Sequence, residues 1–71
     1  MIKLYSYVKL KNPERKGIPK EMIGYIVDIC YAEGFGYGYF VEFEDLDEER
    51  KLDLLCQTFS EEELIVVKEA K

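Results

Sequence analysis

The chain has no histidine and no tryptophan, only two cysteines and two prolines, and no long apolar run. Each scarcity removes a class of function. Without histidine, the commonest general base and the commonest metal ligand are both missing. Ser6, Thr58 and Ser60 have no base partner in view, so no nucleophilic triad is expected. Zinc on Cys30 and Cys56 would need two further good ligands, which the composition does not offer. The two thiols stand too far apart for a redox Cys-x-x-Cys pair. They are expected as reduced residues in or near the core. Apolar runs fall well short of the ~18 residues of a membrane span. The opening MIKLYSYVKL lacks the continuous apolar centre and the small-residue cleavage site of a signal peptide. The expectation is a cytoplasmic protein that is not an enzyme and carries no cofactor or metal.

With 71 residues, the chain has room for one domain, 1–71. The net charge of −5 is unevenly spread. Residues 1–27 hold six Lys/Arg and two Asp/Glu, a balance of +4, and residues 28–71 hold four and thirteen, a balance of −9. The acidic density peaks in EFEDLDEE, where Glu42, Glu44, Asp45, Asp47, Glu48 and Glu49 occur without a base between them. Such a field repels phosphate backbones and attracts basic partners.

Period-two alternation predicts five strands. Leu4–Lys11 turns Leu4, Val8 and Leu10 inward. Ile23–Tyr31 places Ile23, Tyr25, Val27, Ile29 and Tyr31 on one inward face. Gly24 within it implies a bend or a close backbone approach. Tyr39–Glu44 points Tyr39, Val41 and Phe43 one way and Phe40, Glu42 and Glu44 the other. Lys51–Thr58, after an acidic turn, sets Leu52, Leu54 and Cys56 on one face. Leu64–Val67 is the last. Pro13, Gly17 and Pro19 make residues 12–22 a long loop. Ser60 and Glu63 have capping-box spacing, with space for one helical or 3₁₀ turn before the fifth strand. The predicted fold is all-β: a small five-stranded SH3-like barrel with a long first loop.

The runs Val8-Lys-Leu, Gly17-Ile-Pro-Lys-Glu-Met-Ile-Gly24-Tyr-Ile-Val-Asp-Ile, Tyr39-Phe-Val-Glu-Phe43, Leu52 to Leu55 and Phe59-Ser-Glu-Glu-Glu-Leu64 resemble a family of small uncharacterised bacterial domains. That family is similar to SH3-like and KOW-like barrels, and the resemblance spans residues 8–66. It implies the barrel. Through some members, it implies a role as the protective half of a bacterial toxin pair. It brings no catalytic residues with it. The stretch EGFGYG departs from the family by lengthening and enriching the second hairpin.

YAEGFGYGYF, residues 31–40, concentrates five of the ten aromatics and three of the five glycines. Three roles fit it. The first is RNA stacking: Gly34, Phe35, Gly36, Tyr37 and Phe40 match an aromatic RNA-reading consensus, but Glu33 stands where a base is wanted and Gly38 where valine is wanted. The second is a hairpin in which Tyr31 and Tyr39 pair across strands and join the core. The third is a protein-binding edge, with Phe35, Tyr37 and Phe40 as apolar anchors. The acidic run has a calcium alternative, which fails: a loop counted from Asp45 puts Arg50 at the required glycine and Cys56 at the required bidentate glutamate. It also suits a hairpin that mimics nucleic acid on a basic protein. The expected partner surface is therefore Phe35, Tyr37, Phe40, Glu42, Glu44, Asp45, Asp47, Glu48 and Glu49. The expected partner is a basic protein, namely a toxin and in particular a nuclease, held by an immunity or antitoxin protein. Lys9, Lys11, Arg15, Lys16 and Lys20 keep open an RNA- or ribosome-associated barrel, and a plain adaptor or homo-oligomeric module is the third alternative.

Overall fold

The computed structural model describes residues 1–70. Its described residues form five strands: β1 (Tyr7–Leu10), β2 (Gly24–Ala32), β3 (Gly36–Glu42), β4 (Phe59–Ser60) and β5 (Leu64–Lys68). One α-helix, α1 (Glu48–Leu55), lies between β3 and β4, and 3₁₀ turns occupy Pro13–Lys16 and Glu61–Glu63. All pairings are antiparallel, in the order β4-β3-β2-β1-β5.

The connection between the two edge strands gives the sheet its shape. In a flat sheet β4 and β5 would lie about 19 Å apart, four strand spacings of roughly 4.8 Å. The 3₁₀ turn Glu61–Glu63 joins them directly, and such a turn advances only about 8 Å over four steps of roughly 2 Å. The sheet must curl to bring its edges near each other. Among the described residues β4 and β5 share no ladder, so the curl stops short of a closed cylinder.

Ile2, Val8, Leu10, Ile18, Ile26, Tyr39, Val41, Phe43, Leu54, Phe59 and Leu64 fill the concave side. The alternation of Tyr39, Val41 and Phe43 holds as expected. Gly24 is a close approach: a Cβ there would stand 2.5 Å from Val41 Cγ1 and 2.7 Å from Phe43 Cε1. Tyr39 is fully buried, and its hydroxyl ties distant parts of the chain together. The oxygen accepts the Ile2 N–H at 2.9 Å, and the hydroxyl donates to Glu61 at 3.1 Å. Glu61 also meets the terminal ammonium of Met1 at 3.2 Å. The capping box is formed: Ser60 N–H and hydroxyl both donate to Glu63, at 2.9 and 3.3 Å.

Four expectations change. Residues Lys51–Thr58 are not a strand, because most of them lie in α1 or at its end, so the fold is mostly β rather than all-β. Glu48–Leu55 contains good helix formers and no Gly, Pro or β-branched residue. Asp47 caps it by accepting the Arg50 N–H at 2.9 Å. Alternating leucines fit either period over so short a run, and only Leu54 is buried.

The single inward face of the second strand is split. The register shifts between Ile26 and Asp28, leaving Val27 as a bulge residue. A one-residue bulge flips every later side chain to the other face. Tyr25 therefore points outward with Glu42, whereas Ile29, beyond the bulge, turns back to the core side with Tyr39. Ile26 is buried and Ile23 exposed, the reverse of the expected assignment.

Leu4 is exposed because Tyr5 adopts φ 70 and breaks the alternation, and Ile2 and Ser6 are buried instead. Cys30 and Cys56 are both exposed free thiols, not core residues. Cys30 sits on the outer face opposite Gly38, and Cys56 ends α1.

Burial raises the Tyr39 ionisation above its usual value of 10.0. The Glu61 carboxylate pushes the same way and the Ile2 N–H opposes. A raised folded-state value means this stability is intact below about pH 10 and is lost as pH climbs through the folded value. Tyr39→Phe is expected to cost about 1–2 kcal/mol in urea unfolding at neutral pH and to flatten the decline in stability above pH 10. Gly24→Ala is expected to lower stability by about 1–3 kcal/mol through overpacking against Val41 and Phe43, measured as a lower denaturation midpoint.

Candidate partner-binding surface

Of the aromatic groups picked out in the sequence, Phe35 and Tyr37 lie at the far end of β3 from the acidic groups, whereas Phe40 lies two positions from Glu42 on the same strand face. Gly36 to Glu42 spans about 20 Å at roughly 3.3 Å per residue. At one end, β2 and β3 meet in the turn Glu33-Gly34-Phe35, closed by Phe35 N–H donating to Ala32 O at 2.9 Å. Gly34 and Gly36 take φ 87 and 84, a backbone region that favours glycine. Phe35 at the tip is 92% exposed, the barest large apolar side chain in the structure. Tyr31 lies opposite Tyr37, not Tyr39, and the two rings meet edge-on at 5.0 Å outside the core. Phe40 is half-buried on the other face of β3, opposite Asp28. Phe35 and Tyr37 thus do not form one patch with the carboxylates, whereas Phe40 shares the outer face of β3 with Glu42.

At the other end, Glu44 and Asp45 lie in an exposed turn, and Asp47, Glu48 and Glu49 begin α1. The acidic segment is therefore a loop and the first turn of a helix rather than a hairpin. Two of its members have internal work. Asp47 caps the helix, and half-buried Glu42 lies 4.0 Å from Lys51. Glu48 and Glu49 favour the positive end of the helix macrodipole. Glu44, Asp45, Glu48 and Glu49 are exposed and have no ion-pair partner among the described residues.

The tyrosine cluster that reaches the acidic segment through Glu42 joins Tyr5 and Tyr7, which the alternation places outward, with Tyr25, which it places inward. Glu42 stands directly across from Tyr25, and Tyr25 directly across from Tyr7. On this convex face the Tyr25 ring lies 5.7 Å from Tyr5, stacked at 28°, and 5.5 Å from Tyr7, tilted at 46°. Tyr5 and Tyr7 are each about half exposed. The left-handed backbone of Tyr5, uncommon for a bulky residue, accompanies the placing of its ring on this cluster.

Ion pairs surround the tyrosines: Lys9–Glu21 at 2.6 Å, Lys51–Glu42 at 4.0 Å and Lys3–Glu69 at 3.5 Å. The Glu21 carboxyl is held below its usual range by the hydrogen bond from Lys9 and that cation's charge. A groove lined by Leu4, Tyr5, Tyr7, Tyr25, Lys68 and Glu69, among others, runs along the cluster. An aromatic centre within a charged rim is the usual anatomy of a protein-binding patch. Its one sequence signal was the run Tyr5, Tyr7, Lys9 on a single strand face. The contribution of Tyr25 was hidden by the bulge.

No group of three or more Cys, Asp or Glu among the described residues is arranged to hold a metal ion. No helix of the described residues is long and apolar enough to cross a membrane. Comparison with protein-family models, with curated proteins and with solved structures gives no match.

The two roles of Asp47 separate by substitution. Asp47→Asn keeps a capping acceptor and is expected to change stability by no more than a few tenths of a kcal/mol, while Asp47→Ala is expected to cost about 1 kcal/mol in thermal unfolding. Equal losses from both would mean that the charge, not the cap, stabilises α1.

Proposed function

We propose that this protein is a cytoplasmic binding module of the SH3-like barrel type that captures a basic protein and performs no catalysis. The reading favoured is an immunity or antitoxin protein that blocks a basic toxin, in particular a nuclease, by occupying its phosphate-binding surface. The observation that carries this is the set of four exposed carboxylates without internal cation partners, Glu44, Asp45, Glu48 and Glu49, on the segment that follows Glu42, which is itself paired across from Tyr25 of the tyrosine cluster. Unpaired carboxylates lose nothing internal when they meet a partner's cations, and they steer the encounter over a Debye length of about 8–10 Å. The tyrosines supply a rigid apolar centre at low entropic cost. The strand order and the curl imposed by Glu61–Glu63 favour the barrel assignment. Phe35 and Tyr37, about 20 Å away along β3, would serve as a second foothold for a partner large enough to span that distance.

The test is co-expression with the product of the adjacent gene, followed by purification and association kinetics. Wild type is expected to form a stable complex and to relieve any growth arrest that the partner causes. Replacing Glu44, Asp45, Glu48 and Glu49 together by Lys is expected to slow association at least roughly tenfold at low salt, with the difference shrinking at high salt. Tyr7→Ala or Tyr25→Ala is expected to weaken binding by about 2 kcal/mol, mainly through faster dissociation. Undiminished binding by the four-lysine variant would sink the proposal.

A further inference from the structure

We propose that the cleft beside the first 3₁₀ turn binds an oxyanion on a short apolar stem, namely the acidic or phosphorylated side chain of a peptide. The cleft has a volume of about 230 Å³ and is lined by Leu10, Asn12, Arg15, Lys16, Phe59 and Glu63. Four of its six lining residues come from the basic N-terminal stretch of an acidic protein, and its two cations have no carboxylate partner among the described residues. Arg15 makes no side-chain hydrogen bond or ion pair among the described residues. Lys16 has only a neutral partner, Gln57 Oε1 at 3.0 Å, and holds its ammonium 5.5 Å from the centre of the Phe59 ring. Asn12 precedes the turn without capping it through its side chain. The one carboxylate in the lining, Glu63, is already engaged by the backbone N–H and hydroxyl of Ser60. Arg15, Lys16 and Asn12 thus bring a guanidinium, an ammonium and an amide to one cleft whose floor is the buried Leu10 and Phe59. A guanidinium fork beside an ammonium matches a carboxylate or a phosphoryl group, and the floor matches the methylenes that carry it.

Size and surrounding charge narrow the ligand. At about 230 Å³ the cleft falls below the roughly 300–1,000 Å³ usual for whole cofactors and suits a single side chain. A nucleic-acid strand is disfavoured by its own length. Arg50 of α1 donates to the carbonyls of Lys16 and Gly17, which pins the acidic helix beside this loop. A polyanion leaving the cleft would run against that helix, whereas a single oxyanion would not. The loop is preformed. Gly17 closes the turn at φ 67, and a Cβ there would stand 2.8 Å from the Arg50 guanidinium.

The test is an NMR titration of the whole protein with inorganic phosphate, glutarate and a blocked Leu-Glu-Leu peptide, with chloride at matched ionic strength as reference. Saturable shifts centred on Asn12, Arg15, Lys16 and Phe59 are expected, with the peptide binding more tightly than glutarate. Glutarate binding in preference to phosphate identifies a carboxylate side chain, and the reverse identifies a phosphorylated one. Arg15→Ala and Lys16→Gln are each expected to weaken binding roughly tenfold or more, whereas Lys20→Gln, outside the cleft, leaves it unchanged. Shifts that chloride reproduces, or that Lys20→Gln removes equally, would overturn the proposal. The Arg15→Ala and Lys16→Gln variants, which leave Glu44, Asp45, Glu48 and Glu49 unchanged, are also tested for capture of the basic partner, so the failure of this site and that of the protein-capture reading are told apart.

Discussion

Three residues, Glu61–Glu63, link strands that a flat sheet would hold four spacings apart, and the architecture follows from that short tether. A curled sheet has an inside, which allows a chain of this length to enclose Tyr39, Phe43 and Phe59 almost completely. The tether is secured from both sides. Ser60 and Glu63 satisfy one another's groups at its ends, and Glu61 receives the Tyr39 hydroxyl from β3. Tyr39 also accepts the Ile2 N–H, so the N-terminal segment is held by the same phenol. A buried hydroxyl with both its donor and its acceptor role filled confers specificity as well as stability, because no neighbouring register would satisfy it.

The bulge at Val27 governs the surface in the same way. It lets one strand serve two purposes: Ile26 and Ile29 both reach the core side, and Tyr25 faces outward onto Tyr5 and Tyr7. An unbroken pleat would have placed Tyr25 and Ile29 on one face. The surface also separates charges by function. Lys3, Lys9 and Lys51 are neutralised by carboxylates around the tyrosines, while the carboxylates at the start of α1 and the cations of the first 3₁₀ turn keep their charge. Arg50 fastens those two unneutralised regions together. A domain of net charge −5 thereby presents an acidic and a basic feature side by side, each suited to a partner of opposite sign.

Much of this was legible beforehand where a local rule had no competitor. The β3 alternation of Tyr39, Val41 and Phe43, the breakers in residues 12–22, the close approach at Gly24 and the Ser60–Glu63 capping box all follow from neighbouring residues alone. The local pattern misleads where two periods fit equally well. Leu52-Asp-Leu54-Leu-Cys56 alternates like a strand, yet the Asp47 cap and the helix formers after it decide for a helix. On the candidate surface, distance along the chain is a poor guide to distance in space: Phe35 and Glu42 are seven positions apart but mark opposite ends of a strand, whereas Tyr25 and Glu42 are distant in sequence and directly paired.

By itself, the sequence determined the β-rich class, the lack of histidine chemistry, the asymmetry of charge and the positions of the caps and turns. These depend on composition and on contacts within a few residues. Only the tertiary structure decided which rings accompany the acids, which carboxylates and cations remain unpaired, and that both thiols face outward. Those outcomes rest on strand register, and a single bulge residue reverses register while leaving almost no trace in the local pattern.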